Sequence, residues 1–509
     1  MASNIAEFYK NKNIFITGGT GFVGIALVEK ILRSCPEVGK VYLLMRPKKG
    51  KEIHERLEDI TKNSVFSVLL EQSSPDIFKK LVAVAGDVGE ENLGLSPADR
   101  QLLANNVNVV IHSAATLDFQ ASLKPTVFIN LLGTRRVMQL CQEMKNLKAM
   151  VHISSAYVNA FLLETEEKLY PAPDDAEKVI ELAQSKDEKE LNTLTAGLIK
   201  DHPNTYTFTK HLAEHEVNKC AGKFPCGIVR PSMITAAWKE PIAGWTISKN
   251  GPQGFLMGAS KGVVRRLPVG TSLIYDYIPV DIVVNQVLVT GYHVAQKRSG
   301  ELSIYHCTSS TYNPFRWDRV ADKTNELLHM YPLKSAVWYP HLKFLSSLML
   351  FKISAIFIHF IPAYILDFVT RIAGGRPILV KLHTNVWESL KLLEKFIFTE
   401  WKFDNKNTLL LSKTMSPVDQ QHFNIDIGTL KWEDYFINLA QGVRQYLNNE
   451  TLKTLPAARK KDKILLVLHI LLQVGIHTGV WKLVACILGV PMMKCFLALP
   501  LSYILFGML

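Results

Sequence analysis

The sequence predicts an α/β fold, a doubly wound parallel sheet, with a helical C-terminal domain and a hydrophobic C-terminal membrane anchor. Three observations carry that expectation. Residues 13–17, NIFIT, are a short apolar strand that runs into the turn GGTGFVG, a helical IALVEKILRSC and a second strand, KVYLLMR. Further apolar runs, LVAVAGDV at 81–88, NVNVVIHSAAT at 106–116 and AMVHISSAYVN from 149, alternate with helical periodicity. From Ile464 the chain reads ILLVLHILLQVGIHTGVW, then LVACILGVPMMKCFLALPLSYILFGML, which is membrane composition.

The first turn has the spacing G-x-x-G-x-x-G, at Gly18, Gly21 and Gly24. Glycines there permit a tight bend and let a pyrophosphate approach the backbone at a helix N-terminus, so Thr20, Phe22 and Val23 of the same turn join them as candidate cofactor contacts. Where an NAD-binding strand usually ends in an acid for the ribose 2'-hydroxyl, this one ends in Arg46, Pro47, Lys48 and Lys49. A cation suits a 2'-phosphate, so Arg46 and Lys48 point to NADPH. At the ends of the next two strands, Asp87 is placed to meet the adenine amine with Val88 beside it, and Ala114 and Ala115 are small enough for the cofactor to lie close. A helix follows over 127–144, and the next strand ends at Ser154 and Ser155.

In NTYTFTKHLAEHEV, Tyr206 and Lys210 are four apart and share a helix face. Alone the pair is an ordinary helix face. Behind a nucleotide turn and a strand-end serine it resembles the extended short-chain dehydrogenase/reductase family, with a Rossmann-like sheet. The chemistry fits, since a phenol of pKa near 10 is a poor acid-base group at neutral pH and a neighbouring ammonium is expected to stabilise its phenolate. The resemblance implies that Tyr206 gives a proton to the carbonyl oxygen, that Ser155 hydrogen-bonds that oxygen with Ser154 its structural neighbour, and that Lys210 holds the nicotinamide ribose. Pro231 and Ser232 of IVRPSMI match the family's turn beside the nicotinamide.

GGTGFVG, RPKKG, HSAAT, HISSAY, YTFTK, VRPSMITAAWKEPIAGW, DYIPVDIVVN and FNIDIGTLKWEDYF narrow the resemblance to an alcohol-forming fatty acyl-CoA reductase over residues 6–447. HSAATLDF departs from the HCAATVRF-like sequence of the animal family, and SSAY from STAY, which keeps the hydroxyl. The resemblance implies NADPH-dependent reduction of a long-chain acyl-CoA through an aldehyde to a primary alcohol and CoA, supplying wax or ether lipid synthesis. A membrane-attached steroid-type dehydrogenase and a non-catalytic NADPH sensor are the alternatives. The first leaves WKEPIAGW and the long helical region unexplained, and the second has no use for both Tyr206 and Lys210.

Length and composition set the frame. At roughly 100 to 200 residues per domain, 509 residues allow two or three domains. The expected division is 1–270 for the nucleotide-binding part, 271–375 for a substrate-binding part, 376–450 for the helical domain, 451–463 for a basic linker and 464–509 for the anchor. Seven scattered cysteines have neither zinc nor disulfide spacing, which indicates free thiols in a reducing compartment. His112, His152 and His306 read as core residues and no metal site is expected. The net charge of +12 is spread along the chain without a nucleic-acid motif, so no nucleic-acid partner is expected.

No signal-peptide pattern opens the chain, and the cluster Arg459, Lys460, Lys461 and Lys463 precedes the anchor, which puts the catalytic part on the cytosolic side. The anchor is one span or a returning hairpin, in the endoplasmic reticulum or the peroxisomal membrane. Oligomeric state stays open. Residues 344–369 read as helices lying against membrane lipid or lining an apolar tunnel, to which 386–398 would add a wall. The acidic insertion at 164–199 is a lid or a solvated helical excursion.

Overall fold

The computed structural model describes residues 3–48, 50–297 and 301–508, so Lys49 of the basic strand end lies outside the described residues. The chain divides into two compact units that interleave along the sequence. One takes the N-terminal part to Thr246, Ile274–Phe315 and Glu400–Tyr435; the other takes Ile247–Leu273, Arg316–Thr399 and the chain from Phe436. The stretch 376–450, read from the sequence as one helical domain, is therefore shared between the units.

The first unit is built on a parallel sheet. Its strands are β1 (Ile14–Thr17), β2 (Val41–Met45), β3 (Leu81–Ala85), β4 (Val109–His112), β5 (Ala149–Ile153), β6 (Cys226–Pro231) and β7 (Ser303–Cys307), in the order β7-β6-β5-β4-β1-β2-β3. Every pairing is parallel, for example Ile14 opposite Val41 and opposite Val109. Helices cover both faces of such a sheet, so its strands are apolar runs without alternation; β1, β2, β4, β5, β6 and β7 are buried along their whole length. The strand order reverses between β1 and β4, the point at which ligands of such sheets bind.

Helix α1 (Phe22–Ser34) follows the glycine turn, and the predicted helix over 127–144 is a π-helical turn, Val127–Leu131, leading into α2 (Leu132–Glu143). The acidic insertion is a pair of helices, α3 (Ala176–Ser185) and α4 (Glu188–Ile199). Their apolar faces, with Val179, Ile180, Leu191 and Leu198, pack on Leu131, Phe208 and Leu212. Its solvated helical reading describes the outer face, where Glu177 pairs with Arg135 at 2.6 Å. Helix α5 (Thr205–Asn218) carries the Tyr206–Lys210 pair, capped by Asn204 accepting from the Thr207 amide, and α6 (Val280–Gln296) packs beneath the sheet with most of its residues buried.

The second unit contains α7 (Leu348–Ala355), continued by a π-helical turn, Ile356–Phe360, into α8 (Ile361–Ile372), then α9 (Leu379–Leu392). Its last part is α10 (Leu455–Leu488), 34 residues or about 51 Å of helix. Gly489, at φ 61°, ends it in the left-handed conformation that glycine adopts without a side-chain penalty. The chain then turns back, so that α11 (Ala498–Met508) lies along α10, with His477 and Ser502 hydrogen-bonded at 2.9 Å and the Trp481 indole donating to the Met492 carbonyl at 2.7 Å. The tail is thus a helical hairpin.

Candidate active site

The glycine turn is as tight as its spacing implies. Gly18 has φ +75°, and a Cβ on it would lie 2.8 Å from the Ala114 amide; one on Gly24 would lie 2.2 Å from the Gly18 carbonyl oxygen. These two positions admit glycine alone, and they bring the ends of β1 and β4 together where a dinucleotide would pass. No side chain caps α1, whose N-cap is Gly21, and Thr20, Phe22 and Val23 are partly exposed around its first turn. The amides there lack intrahelical partners and are free to receive a phosphate. The residues present fit a dinucleotide.

Arg46 and Lys48 follow β2 and are exposed. The Arg46 guanidinium donates to Asp87 Oδ2 at 2.8 Å, while Asp87 Oδ1 accepts from the Gly89 amide at 3.0 Å. Two residues read separately from the sequence, one for the 2'-phosphate and one for adenine, therefore face each other. Val88 is buried, and its carbonyl accepts from Arg136 at 3.1 Å. Ala115 lies with Ala114 in the loop after β4, whose Thr116 amide is fixed by Asn130.

Ser154 and Ser155 end β5 with different surroundings. Ser154 donates to Glu214 at 2.6 Å, and Glu214 accepts a bidentate pair from Arg230 at 2.8 and 2.6 Å, all inside the unit. Ser155 caps the following turn by accepting from the Tyr157 amide at 3.2 Å, and its hydroxyl lies on the Tyr206 side, where it opposes the rise in the phenol's pKa. The side chains of Ser155 and Tyr206 are nearly buried, and the Phe119 ring of the HSAATLDF segment sits 5.5 Å from the tyrosine ring.

Lys210 is buried on α5 with its ammonium against the end of β5. Its ammonium donates to the Ile153 carbonyl at 2.7 Å, with His152 Nε2 at 3.5 Å. Burial pushes the Tyr206 phenol up to about 12, and the contribution opposing that rise is Ser155, not Lys210. Burial likewise lowers Lys210 to about 8, against the pull of Glu214. The expected depression of the phenol by the ammonium is absent because the ammonium points to the end of β5.

The histidines lie in the core. His112 bridges Thr17 at 2.7 Å and Thr134 at 3.0 Å, and burial holds it near 3, neutral. His152 is held well below its ordinary value, by burial first and then by the Lys210 charge. Pro231 ends β6, and the Ser232 amide donates to the Cys307 carbonyl at 3.1 Å, fixing the turn after it.

Other residues of the site escape sequence reading. Asn130, in the π-helical turn, accepts from the Thr116 amide at 3.0 Å and donates to Thr209 at 3.1 Å, tying the loop after β4 to α5. In WKEPIAGW, Asp281 accepts from the amides of Trp238, Lys239 and Glu240 at 2.9, 2.8 and 3.1 Å. Glu240 reaches Lys30 at 2.7 Å and Arg33 at 2.9 Å on α1, and Trp245 packs 5.5 Å from Phe22. That motif is a brace for the helix behind the glycine turn. A carboxylate four residues beyond Lys210, as Glu214 is, offered the one periodic signal.

A parallel sheet that reverses at a glycine turn, with a hydroxyl pair one strand away, is the architecture of extended short-chain dehydrogenases/reductases, oxidoreductases that use a nicotinamide cofactor. Family profiles described as male sterility protein match residues 16–287, as its NAD-binding part, and residues 358–450. CG8306 of Drosophila melanogaster, whose name places it provisionally among fatty acyl-CoA reductases, is 61% identical over 514 positions, covering 100% of both chains. Fatty acyl-CoA reductase 1 of Rattus norvegicus is 37% identical, covering 90% of this chain and 88% of its own. Among solved structures, the reductase domain of a nonribosomal peptide synthetase from Mycobacterium tuberculosis shares the fold at TM-score 0.54 and 18% identity, over 88% of this chain and 94% of that one. The chain belongs to the fatty acyl-CoA reductase family.

Proposed function

We propose that the protein reduces long-chain fatty acyl-CoA to the primary alcohol with NADPH, through two carbonyl reductions at one site. The observation that carries this reading is the meeting of Ser155, just after β5, with Tyr206 on α5, one turn before the buried Lys210, in a chain of this family. Named relatives supply the substrate class.

Gly18, Gly21, Gly24 and the first amides of α1 would hold the pyrophosphate, Asp87, Val88, Ala114 and Ala115 the adenosine side, and Lys210, Pro231 and Ser232 the nicotinamide side. Bound there, the cofactor supplies hydride. Tyr206 gives its proton to the substrate oxygen as charge develops on it, and Ser155 donates to the same oxygen. In the first round the thioester carbonyl becomes a hemithioacetal, whose C–S bond breaks to release CoA and an aldehyde. In the second round Tyr206, reprotonated, serves the aldehyde carbonyl in the same way. One acyl-CoA, two NADPH and two protons become one alcohol, one CoA and two NADP+. Lys210, with donors beyond the one directed at Ile153, holds positive charge beside the site.

NADPH over NADH rests on Arg46, 58% exposed at the side chain and able to leave Asp87 for a 2'-phosphate. Replacing Arg46 and Lys48 with alanine should weaken NADPH more than NADH by on the order of tenfold, and equal losses would remove the phosphate assignment. The helix α10 anchors the protein in the endoplasmic reticulum or peroxisomal membrane, with Arg459 to Lys463 and the catalytic unit on the cytosolic side, where the alcohol enters wax or ether lipid synthesis.

The test is product identity. Full-length protein in detergent, given palmitoyl-CoA or stearoyl-CoA with NADPH, should yield the matching fatty alcohol by mass spectrometry. No oxidation of NADPH across a range of chain lengths would sink the reading.

A further inference from the structure

The segment from α7 to α8 is long and apolar enough to cross a membrane, yet it is not surrounded alike on all sides. Phe351, Ala355 and Ala363 are buried within the second unit. On the other side Ile356, Phe357, Tyr364, Ile365, Phe368 and Ile372 are between 47 and 73% exposed. Single exposed apolar residues are ordinary in water-soluble proteins, but a continuous run of large ones is not. A tunnel wall would have its apolar side chains covered, and these are not.

Two polar groups of the segment that would be costly in lipid are satisfied by the protein, His359 buried and Asp367 half-exposed. His359 Nε2 accepts from the amides of Arg265 and Arg266 at 3.1 and 3.2 Å, and its ring stacks on His383 at 4.9 Å. Asp367 accepts from the amides of Ile378, Leu379 and Val380 at 3.1, 3.0 and 2.8 Å, so its charge serves the N-terminus of α9. The surface left outside is apolar, with Tyr364 as an amphipathic ring. Lys352, Arg371, Arg376 and Lys381 are exposed on or beside it. Apolar face and neighbouring cations together are the pattern of a helix lying in the interface of an anionic bilayer.

We propose that the outward face of α7 and α8 is a second lipid-binding surface, seated at the boundary of headgroups and acyl chains and separate from the C-terminal hairpin. Because its inner face is packed against protein, it lies on the bilayer and does not cross it. The proposal stands independently of the reaction assigned to the first unit.

Cys486 is the exposed cysteine and the other six are buried. A full-length Cys486→Ser chain carrying Ile365→Cys or Phe368→Cys therefore takes an environment-sensitive fluorophore at the new thiol. The labelled protein is floated with phosphatidylcholine–phosphatidylserine vesicles whose acyl chains carry bromine. Emission at both positions should shift to the blue and be quenched about twofold or more, while a label at Lys189→Cys, exposed on α4, should show neither change. Unquenched emission at 365 and 368 in protein that floats would overturn the proposal. So would a blue shift without quenching, which would put protein and not lipid over the face.

Discussion

Ser154 and Ser155 share a side chain and a strand end, and their partners separate them. Ser154 supports the buried Glu214–Arg230 pair, whereas Ser155 faces Tyr206. Ser154→Ala should therefore cost stability, about 1.5 to 3 kcal/mol for a buried hydrogen bond to a charged group, with turnover per folded molecule retained. Ser155→Ala should cost about 1 kcal/mol through its lost turn cap, but lower turnover by about 10² to 10³. Denaturant midpoints and initial rates check both, and the reverse pattern would exchange their roles. Lys210 sets the pH response. Its folded value of about 8 lies below the ordinary range because burial disfavours the ammonium, so the charge is present below that pH and is lost as pH rises through it. Tyr206, held up to about 12, stays protonated over this window. The rate at limiting acyl-CoA should be level below about pH 7 and fall above about 8; a flat profile to pH 10 would show that the ammonium is not needed. Ser155, Tyr206 and Lys210 stand out in the sequence as candidates because their residue types and spacing carry chemistry. Glu214, Arg230 and Asn130 were not, because nothing local distinguishes a buried partner from a solvated side chain. The ammonium's aim at Ile153 depends on strand and helix meeting, which no spacing records.

At the scale of elements, the parallel strands were the legible part. Burial on both faces leaves uninterrupted Val, Ile and Leu runs, and glycines mark the first turn. A Gly24→Ala chain tests how tightly that turn is built. Its Cβ would meet the Gly18 oxygen at 2.2 Å, so the substitution should destabilise by about 1 to 3 kcal/mol and weaken cofactor binding, both measurable by thermal shift with and without NADPH. Full cofactor-induced stabilisation in that variant would contradict a backbone cradle. The π-helical turn at Val127–Leu131 was read as ordinary helix, since one extra residue in a turn leaves the apolar periodicity almost unchanged. The insertion at 164–199 offered an acidic composition that suits a lid or a surface equally, and its packing on Phe208 and Leu212 decides how it sits.

For the whole molecule, the sequence marks a strongly apolar tail, a candidate anchor, but not how the chain is shared out. Returns to the first unit at Ile274 and Glu400 are made by ordinary-looking segments; strand Lys402–Phe403, for instance, pairs with Glu164–Thr165 across more than two hundred residues. The hairpin was legible as an alternative from Pro491 and Lys494, and Gly489 makes the turn. The first turns of α10 belong to its unit, through Asp462 on His329 at 3.0 Å and Leu465 on Leu333. A chain ending at Leu472 should therefore fold yet become extractable from membranes by carbonate, held only by the weaker face of α7 and α8. Resistance to extraction in that chain would move the anchor away from the hairpin.

The central claim is that one site built on Ser155 and Tyr206 carries an acyl-CoA through two reductions. The most direct measurement is the ratio of NADPH consumed to CoA released when acyl-CoA is limiting. A ratio of two, lost together with CoA release in Tyr206→Phe while NADPH still binds, is the predicted result. A ratio of one with aldehyde as the end product, or an unchanged rate in Tyr206→Phe, would contradict it.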